Sequence, residues 1–154
     1  MAKHEFLTSI DIDVPAAAAW AVLVDFDAYS QWCPTHREIR GSATLGTRLH
    51  IRLAREPGSD KTLSVPATVR QLDPGRAIAF GGGFPGAPWL FDIHHWFQLE
   101  PLSADSCRFH NGERFQGLLL SLVWSTIAPR VEHGYAAFNT AFKQRCEATA
   151  RPTI

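Results

Sequence analysis

The sequence carries no surplus of charge of either sign: fifteen Lys and Arg offset fifteen Asp and Glu. No net field exists to draw in DNA, RNA or an acidic membrane surface, so nucleic acid is not expected as a partner. Cysteine is scarce. Cys33, Cys107 and Cys146 are odd in number, widely spaced and without a C-x-x-C pair, which argues against a disulfide framework and for reduced thiols in a cytoplasmic compartment. Long apolar runs are missing as well. The opening MAKHEFLTSIDID holds no stretch of signal-peptide length. The longest run, Leu118 to Trp124, is broken by Ser121 and falls short of the ~20 residues that span a bilayer, so membrane insertion is not expected. Repeats, low-complexity tracts and linker-like segments are absent. What the 154 residues do contain is ten Phe and five Trp among 45% hydrophobic residues. That is enough for one substantial core, and a single domain over 1–154 is the expectation.

Between Glu5 and Asp13, residues Phe6, Thr8, Ile10 and Ile12 share one parity and predict a half-buried strand. VPAAAAWAVLVDF follows, with Pro15 at a helix start, a run of alanines, and Trp20, Leu23 and Val24 at helical spacing. DAYSQWCP reads as a further turn or two, ended by Pro34. Period-two patterns then take over. A short strand and glycine turn fit THREIRGSATLGT, and Leu49, Ile51 and Leu53 oppose Arg48, His50 and Arg52. Past a polar tip, EPGSDK, residues Leu63, Val65, Ala67 and Val69 form an inner face, and Pro74-Gly75 turns the chain into Ala77 to Phe80.

GGGFPGAP is expected to be a turn over a pocket entrance, with Gly81 to Gly83 making the turn. It leads into WLFDIHHWFQLEP, where Trp89, Phe91, Ile93, Phe97 and Leu99 fall on odd positions. In the hairpin partner SCRFHNGERFQG, Cys107, Phe109, Asn111, Glu113 and Phe115 are odd too. From Leu118 the chain is helical, with Pro129 expected to reset the helix and Val131, Tyr135, Phe138 and Phe142 forming an apolar stripe. The predicted class is α+β: a curved antiparallel sheet of about seven strands wrapped around a long C-terminal helix, with two short helices after the first strand. Such a sheet leaves a groove beneath the helix.

The segments IDIDVPAAAAWAVLVDFDAYSQWCP, GTRLHIRL, IHHWFQLEPL, NGERFQGLL and GYAAFNTAFK cover nearly the whole chain and resemble the START-like, or SRPBCC, superfamily, within it the polyketide cyclase/dehydrase branch. The resemblance implies the helix-grip fold. It also implies binding of lipids, hormones or other hydrophobic molecules, or aromatase/cyclase action on polyketide chains, with no cofactor required. One departure stands out: such proteins often carry Asn after the Trp of the short helix, where this chain has Cys33.

Within the expected groove, parity places His95 between Ile93 and Phe97 and Glu113 between Asn111 and Phe115, so both intrude on an apolar surface. A turn near Ser103 and Ala104 sets His95 opposite or diagonal to Glu113 and Asn111. A histidine and a carboxyl so placed can act as general acid and base, or can simply satisfy each other and orient a ligand. His36, after Trp32, Cys33 and Pro34, sits near the groove mouth as a ligand donor or as an exposed loop histidine. Cys33 has no thiol-protease or thioester context. His94 and His95 point to opposite faces, and no H-E-x-x-H or Cys/His cluster appears, so no metal is expected.

The leading expectation is a binding protein for a small hydrophobic molecule, lipid-like or aromatic. Trp20 and Trp32 line its groove from the short helices. Leu49, Ile51, Val65 and Phe80 line it from the middle strands, and Trp89, Phe91, Ile93 and Phe97 from the strand that carries His95. Phe109, Phe115, Tyr135 and Phe138 complete it, with His95, Asn111 and Glu113 as polar anchors. The alternatives are a cyclase/dehydratase using His95 and Glu113, and a chaperone or interaction module with a filled groove. Exposed apolar surface around Trp96 would favour that last reading, or a homodimer.

Overall fold

The computed structural model describes residues 1–151. Strand β1 (Ala2–Ile12) is followed by helix α1 (Ala16–Val24), a 3₁₀ turn (Phe26–Ala28) and helix α2 (Tyr29–Trp32). Strands β2 (His36–Arg40), β3 (Arg48–Ala54), β4 (Thr62–Asp73), β5 (Ala77–Gly83), β6 (Asp92–Pro101) and β7 (Cys107–Gly117) lead to helix α3 (Leu120–Ala150). The sheet is antiparallel throughout, in the order β1-β7-β6-β5-β4-β3-β2. It is a meander from β2 to β7, with β1 returning to pair with β7 from Ala2↔Gly117 to Ile12↔Cys107. This is the α+β arrangement expected from the pattern, and the helix-grip fold that the resemblance implies.

Two register shifts bend the sheet, one between His36 and Glu38 on β2 and one between Val69 and Gln71 on β4. Each inserts a residue and increases local twist. The shift on β4 also explains how Val69 and Leu72, of opposite parity, both pack on the core. Helix α3 lies across the concave face with β1, β7 and the two short helices as its main partners. Its far end is tied down where Lys143 Nζ donates to the Asp11 carbonyl at 2.7 Å and Glu147 accepts from the Asp13 amide at 3.1 Å.

Three local expectations are corrected. Gly81 to Gly83 do not form a turn: they are β5 residues paired with His94, Ile93 and Asp92, and the connection runs from Phe84 to Phe91. Glycine is required there by close approach, since a Cβ at Gly81 would collide with the Ile93 carbonyl and lie 2.9 Å from Arg70 Nη1. Arg70 crosses over this gap to grip the buried Asp92 with two hydrogen bonds, at 2.7 and 3.0 Å. Secondly, Pro129 does not reset α3, which continues through it. Pro129 and Ser125 are both exposed, so water can serve the carbonyl that proline leaves without a donor. Finally, Trp89 lies before β6 and is 54% exposed, and Leu63, at the start of β4, is 57% exposed.

The convex face carries Trp96 as a partly buried ring rather than an open patch. Its indole lies where a Cβ of Gly112 would be, with the Arg114 guanidinium 5.9 Å from the ring centroid and His94 5.9 Å away. The core proper is aromatic. Phe97, Phe109, Phe138 and Phe142 are each at most 1% exposed. Phe97 and Phe138 stack at 5.1 Å, and Phe109 meets Phe142 at 4.5 Å. Phe138→Ala is therefore expected to destabilise the fold by about 3–5 kcal/mol, seen as a lower urea midpoint with an unchanged slope. A loss below about 1 kcal/mol would show that this stack does not hold helix to sheet.

Candidate functional site

The space between α3 and the sheet differs from end to end. Towards the second half of α3 it is closed by the Phe97, Phe109, Phe138 and Phe142 cluster, backed by Tyr29 and Leu23. Towards the first half, Phe91 and Ile93 on the β6 side, Val65 on β4, and Ile127 and Val131 on α3 are half-buried, while Phe115 and Leu120 are buried and Trp124 packs against Phe115, Phe6 and His4. The concave face is thus closed by aromatic rings towards the second half of α3, and half-buried along Ile93, Val65 and Val131 towards the first. Two clefts of about 240 and 230 Å³ lie elsewhere, on the convex face and beside the 3₁₀ turn, and neither borders His95 or Glu113.

The polar residues stand where the two ends meet. The register pairs His95 directly with Glu113 and Phe97 with Asn111, as the parity of the two strands requires. His95 Nδ1 is 3.8 Å from Glu113 Oε1, and the Tyr135 hydroxyl donates to Glu113 Oε2. His95 Nε2 meets Asn111 Oδ1 at 2.8 Å, Asn111 Nδ2 donates to Asn139 Oδ1 at 3.0 Å, and Asn139 Nδ2 donates to Thr8 Oγ1 at 2.9 Å. His36 adds a second imidazole, its ring 5.7 Å from that of His95. Its Nδ1 contacts Thr35 Oγ1 at 3.1 Å.

Burial sets the protonation of this cluster. The Glu113 side chain is 14% exposed, and desolvation raises its pKa above the ordinary carboxylate value, partly offset by His95 and by the Tyr135 hydroxyl. Tyr135 is pushed well above its usual range by burial and by Glu113 itself, so it remains a donor. His36 falls to about 3, first through burial and then through His95, and is neutral at physiological pH. The result is a hydrogen-bonded carboxyl with two imidazoles nearby, and among the described residues no Lys or Arg forms an ion pair with it. Such a group can orient a ligand hydroxyl or carbonyl, and it can carry a proton.

The other expected site residues divide by position. Leu49, Ile51, Phe80, Phe97, Phe109, Phe115 and Phe138 are buried, most of them in the packed core. Trp20 packs on that core from α1. Trp32 contacts Phe138 at 5.5 Å and keeps a buried Nε1 without an acceptor. Val65, Phe91 and Ile93 are half-buried, and Trp89 is exposed. His36 is not an exposed loop histidine: it opens β2 and is 7% exposed, its ring enclosed by Tyr29, Phe80, His95 and Phe138, with its backbone amide 3.3 Å from Cys33 Sγ. Cys33 itself is fully buried, and burial raises its thiol pKa.

Sequence reasoning missed Asn139 and the part played by Thr8. The signal was available in a polar side chain next to Phe138, one turn beyond Tyr135 on the buried face of the helix. A stacked pair was missed too: His4 and Trp124 lie 3.9 Å apart and nearly parallel, with Trp124 also against Phe6 and Phe115.

The family described as polyketide cyclase / dehydrase and lipid transport matches residues 3–147. No protein of curated function matches the sequence. Among solved structures, the fold is similar to that of the Zhui aromatase/cyclase from Streptomyces sp. R1128, with TM-score 0.80, 16% identity and 97% of each chain covered. It is also similar to norcoclaurine synthase from Thalictrum flavum in complex with dopamine and hydroxybenzaldehyde, with TM-score 0.68 and 11% identity over 99% of this chain and 90% of that one. A START superfamily protein from Mycobacterium smegmatis gives TM-score 0.66 and 18% identity over 92% of this chain and 99% of that one.

The two buried titrating groups give opposite pH dependences. His36 has its folded pKa lowered from 6.5 to about 3, so its contribution is present above 6.5 and is lost as pH falls towards 3. Denaturant titrations of His36→Phe are expected to flatten the acid limb of the stability curve by roughly 3 kcal/mol between about pH 7 and about pH 4. An unchanged limb would refute a buried neutral His36. Glu113 has its folded pKa raised, so its contribution is present at low pH and is lost as pH rises through the folded value. Glu113→Gln should then be more stable than the parent at neutral pH, the gap closing in acid; a destabilised variant at neutral pH would contradict this.

Proposed function

The chain belongs to the polyketide cyclase / dehydrase and lipid transport family, and we propose that it is a single-domain binding protein for a small, largely hydrophobic molecule bearing one hydrogen-bonding group. The ligand occupies the half-buried part of the groove between α3 and the sheet, with its polar group towards Glu113, His95 and Tyr135. One observation carries the reading. A carboxyl buried at the end of an apolar groove, paired with a histidine and a tyrosine rather than a cation, is costly to the fold and serves recognition better than it serves stability. The filled aromatic end limits the ligand to the space beside Ile93, Val65 and Val131. A small aromatic or a short acyl chain suits that space. The hydroxylated aromatic compounds in the norcoclaurine synthase complex support an aromatic ligand by fold analogy alone. Three buried free thiols are consistent with a reducing, cytoplasmic setting.

A second reading is favoured by the direct opposition of His95 and Glu113. A neutral Glu113 could protonate a leaving hydroxyl or a carbonyl while His95 takes a proton, as a cyclisation or dehydration without cofactor demands. Replacing Glu113 by Gln separates the two readings: turnover lost with affinity kept marks an enzyme.

The binding reading is tested by native mass spectrometry of the purified protein, followed by denaturing extraction of whatever is retained. The expected result is a retained hydrophobic compound in the parent and none in Val131→Trp, which fills that part of the groove while circular dichroism stays unchanged. Where nothing co-purifies, an anilinonaphthalene sulfonate titration replaces the extraction. Equal occupancy or equal probe binding in the parent and in Val131→Trp would overturn the proposal.

A further inference from the structure

The hydrogen bonds that link β1, β6, β7 and α3 form a chain whose sense is fixed from one end. The carbonyl oxygen of Asn111 can only accept, so the Thr8 hydroxyl 3.1 Å away commits its single proton to it. Thr8 Oγ1 is then an acceptor for its other neighbour, which must be the Asn139 Nδ2 amide at 2.9 Å. That turns Asn139 Oδ1 towards Asn111, where it accepts from Nδ2 at 3.0 Å, and leaves Asn111 Oδ1 facing His95 Nε2 at 2.8 Å. An amide oxygen has no proton to give. His95 Nε2 must therefore carry one.

Asn111, Asn139 and His95 are 0%, 6% and 5% exposed, so water cannot easily relax an amide turned the wrong way. We propose that Thr8 and Asn139 are positioning residues that hold the His95 imidazole in its Nε2–H form, so that Nδ1 is the nitrogen turned to Glu113, 3.8 Å away. Without them, an ionised Glu113 would draw the ring proton to Nδ1. With them, a neutral ring offers Glu113 a lone pair. A proton passing from the Glu113 carboxyl to Nδ1 leaves a carboxylate held by Tyr135 and an imidazolium held by Asn111, with no atom or charge unaccounted for.

The functional weight of this device rests on the groove reading above, but its test does not. Long-range proton–nitrogen NMR of the ligand-free, ¹⁵N-labelled protein reports which ring nitrogen of His95 is protonated. In the parent's neutral ring, the Nε2–H form is expected to exceed the Nδ1–H form by roughly tenfold or more. In Thr8→Val the Nδ1–H form should rise to a comparable population, and Thr8→Ser, which keeps the hydroxyl, should restore the parent pattern. Asn139→Leu interrupts the chain from the helix side and should act as Thr8→Val does; it serves if Thr8→Val fails to fold. An Nδ1–H parent, a ring doubly protonated at every pH, or a folded Thr8→Val or Asn139→Leu with the parent pattern would overturn the proposal. A failed ligand extraction with the expected pattern intact would remove the binding reading and leave this one standing.

Discussion

The stack of Phe97 on Phe138 is the contact on which the remaining geometry depends. It sets a β6 residue against an α3 residue with rings 5.1 Å apart, and so fixes both the height of the helix above the sheet and its rotation. Once Phe138 is pinned, helical spacing brings Tyr135 one turn earlier to Glu113 and Asn139 one residue later to Asn111 and Thr8. The same stack closes the concave face towards the second half of α3. An all-round shift of α3 would break the apolar and the polar contacts together, which ties the integrity of the site to the integrity of the core.

Set against that core, the polar cluster is an expense. Glu113 and His95 interrupt a face that Ile93, Phe97, Phe109 and Phe115 would otherwise make continuous, and burial works against ionising the carboxyl. The chain through Asn111, Asn139 and Thr8 limits the cost by satisfying buried amide groups, yet an apolar replacement would need none of it.

Much of this is legible in the sequence. Period-two parity placed His95, Asn111 and Glu113 on the concave face, and the hairpin pairing followed from where the turn had to fall; the register puts His95 directly opposite Glu113. The helical stripe through Tyr135, Phe138 and Phe142 was equally plain. What escaped were features that depend on through-space fit. Parity can say that Phe97 and Phe138 point inward, but not that their rings fill the space between. Spacing alone cannot tell that Arg70 reaches over Gly81 to Asp92 or that three glycines continue a strand, since both follow from one close crossing. The burial of His36 is not local either: its ring is enclosed by Phe80, His95 and Phe138 from other elements.

The central claim is that the groove ends on a carboxyl held back from ionising by its surroundings. An NMR titration of the Glu113 side-chain carboxyl carbon tests it directly, in the ligand-free chain and independently of what the groove binds. The expected result is a midpoint clearly above the ordinary glutamate value of 4.5. A midpoint at or below that value would contradict the account, because Glu113 would then be a solvated or salt-bridged carboxylate.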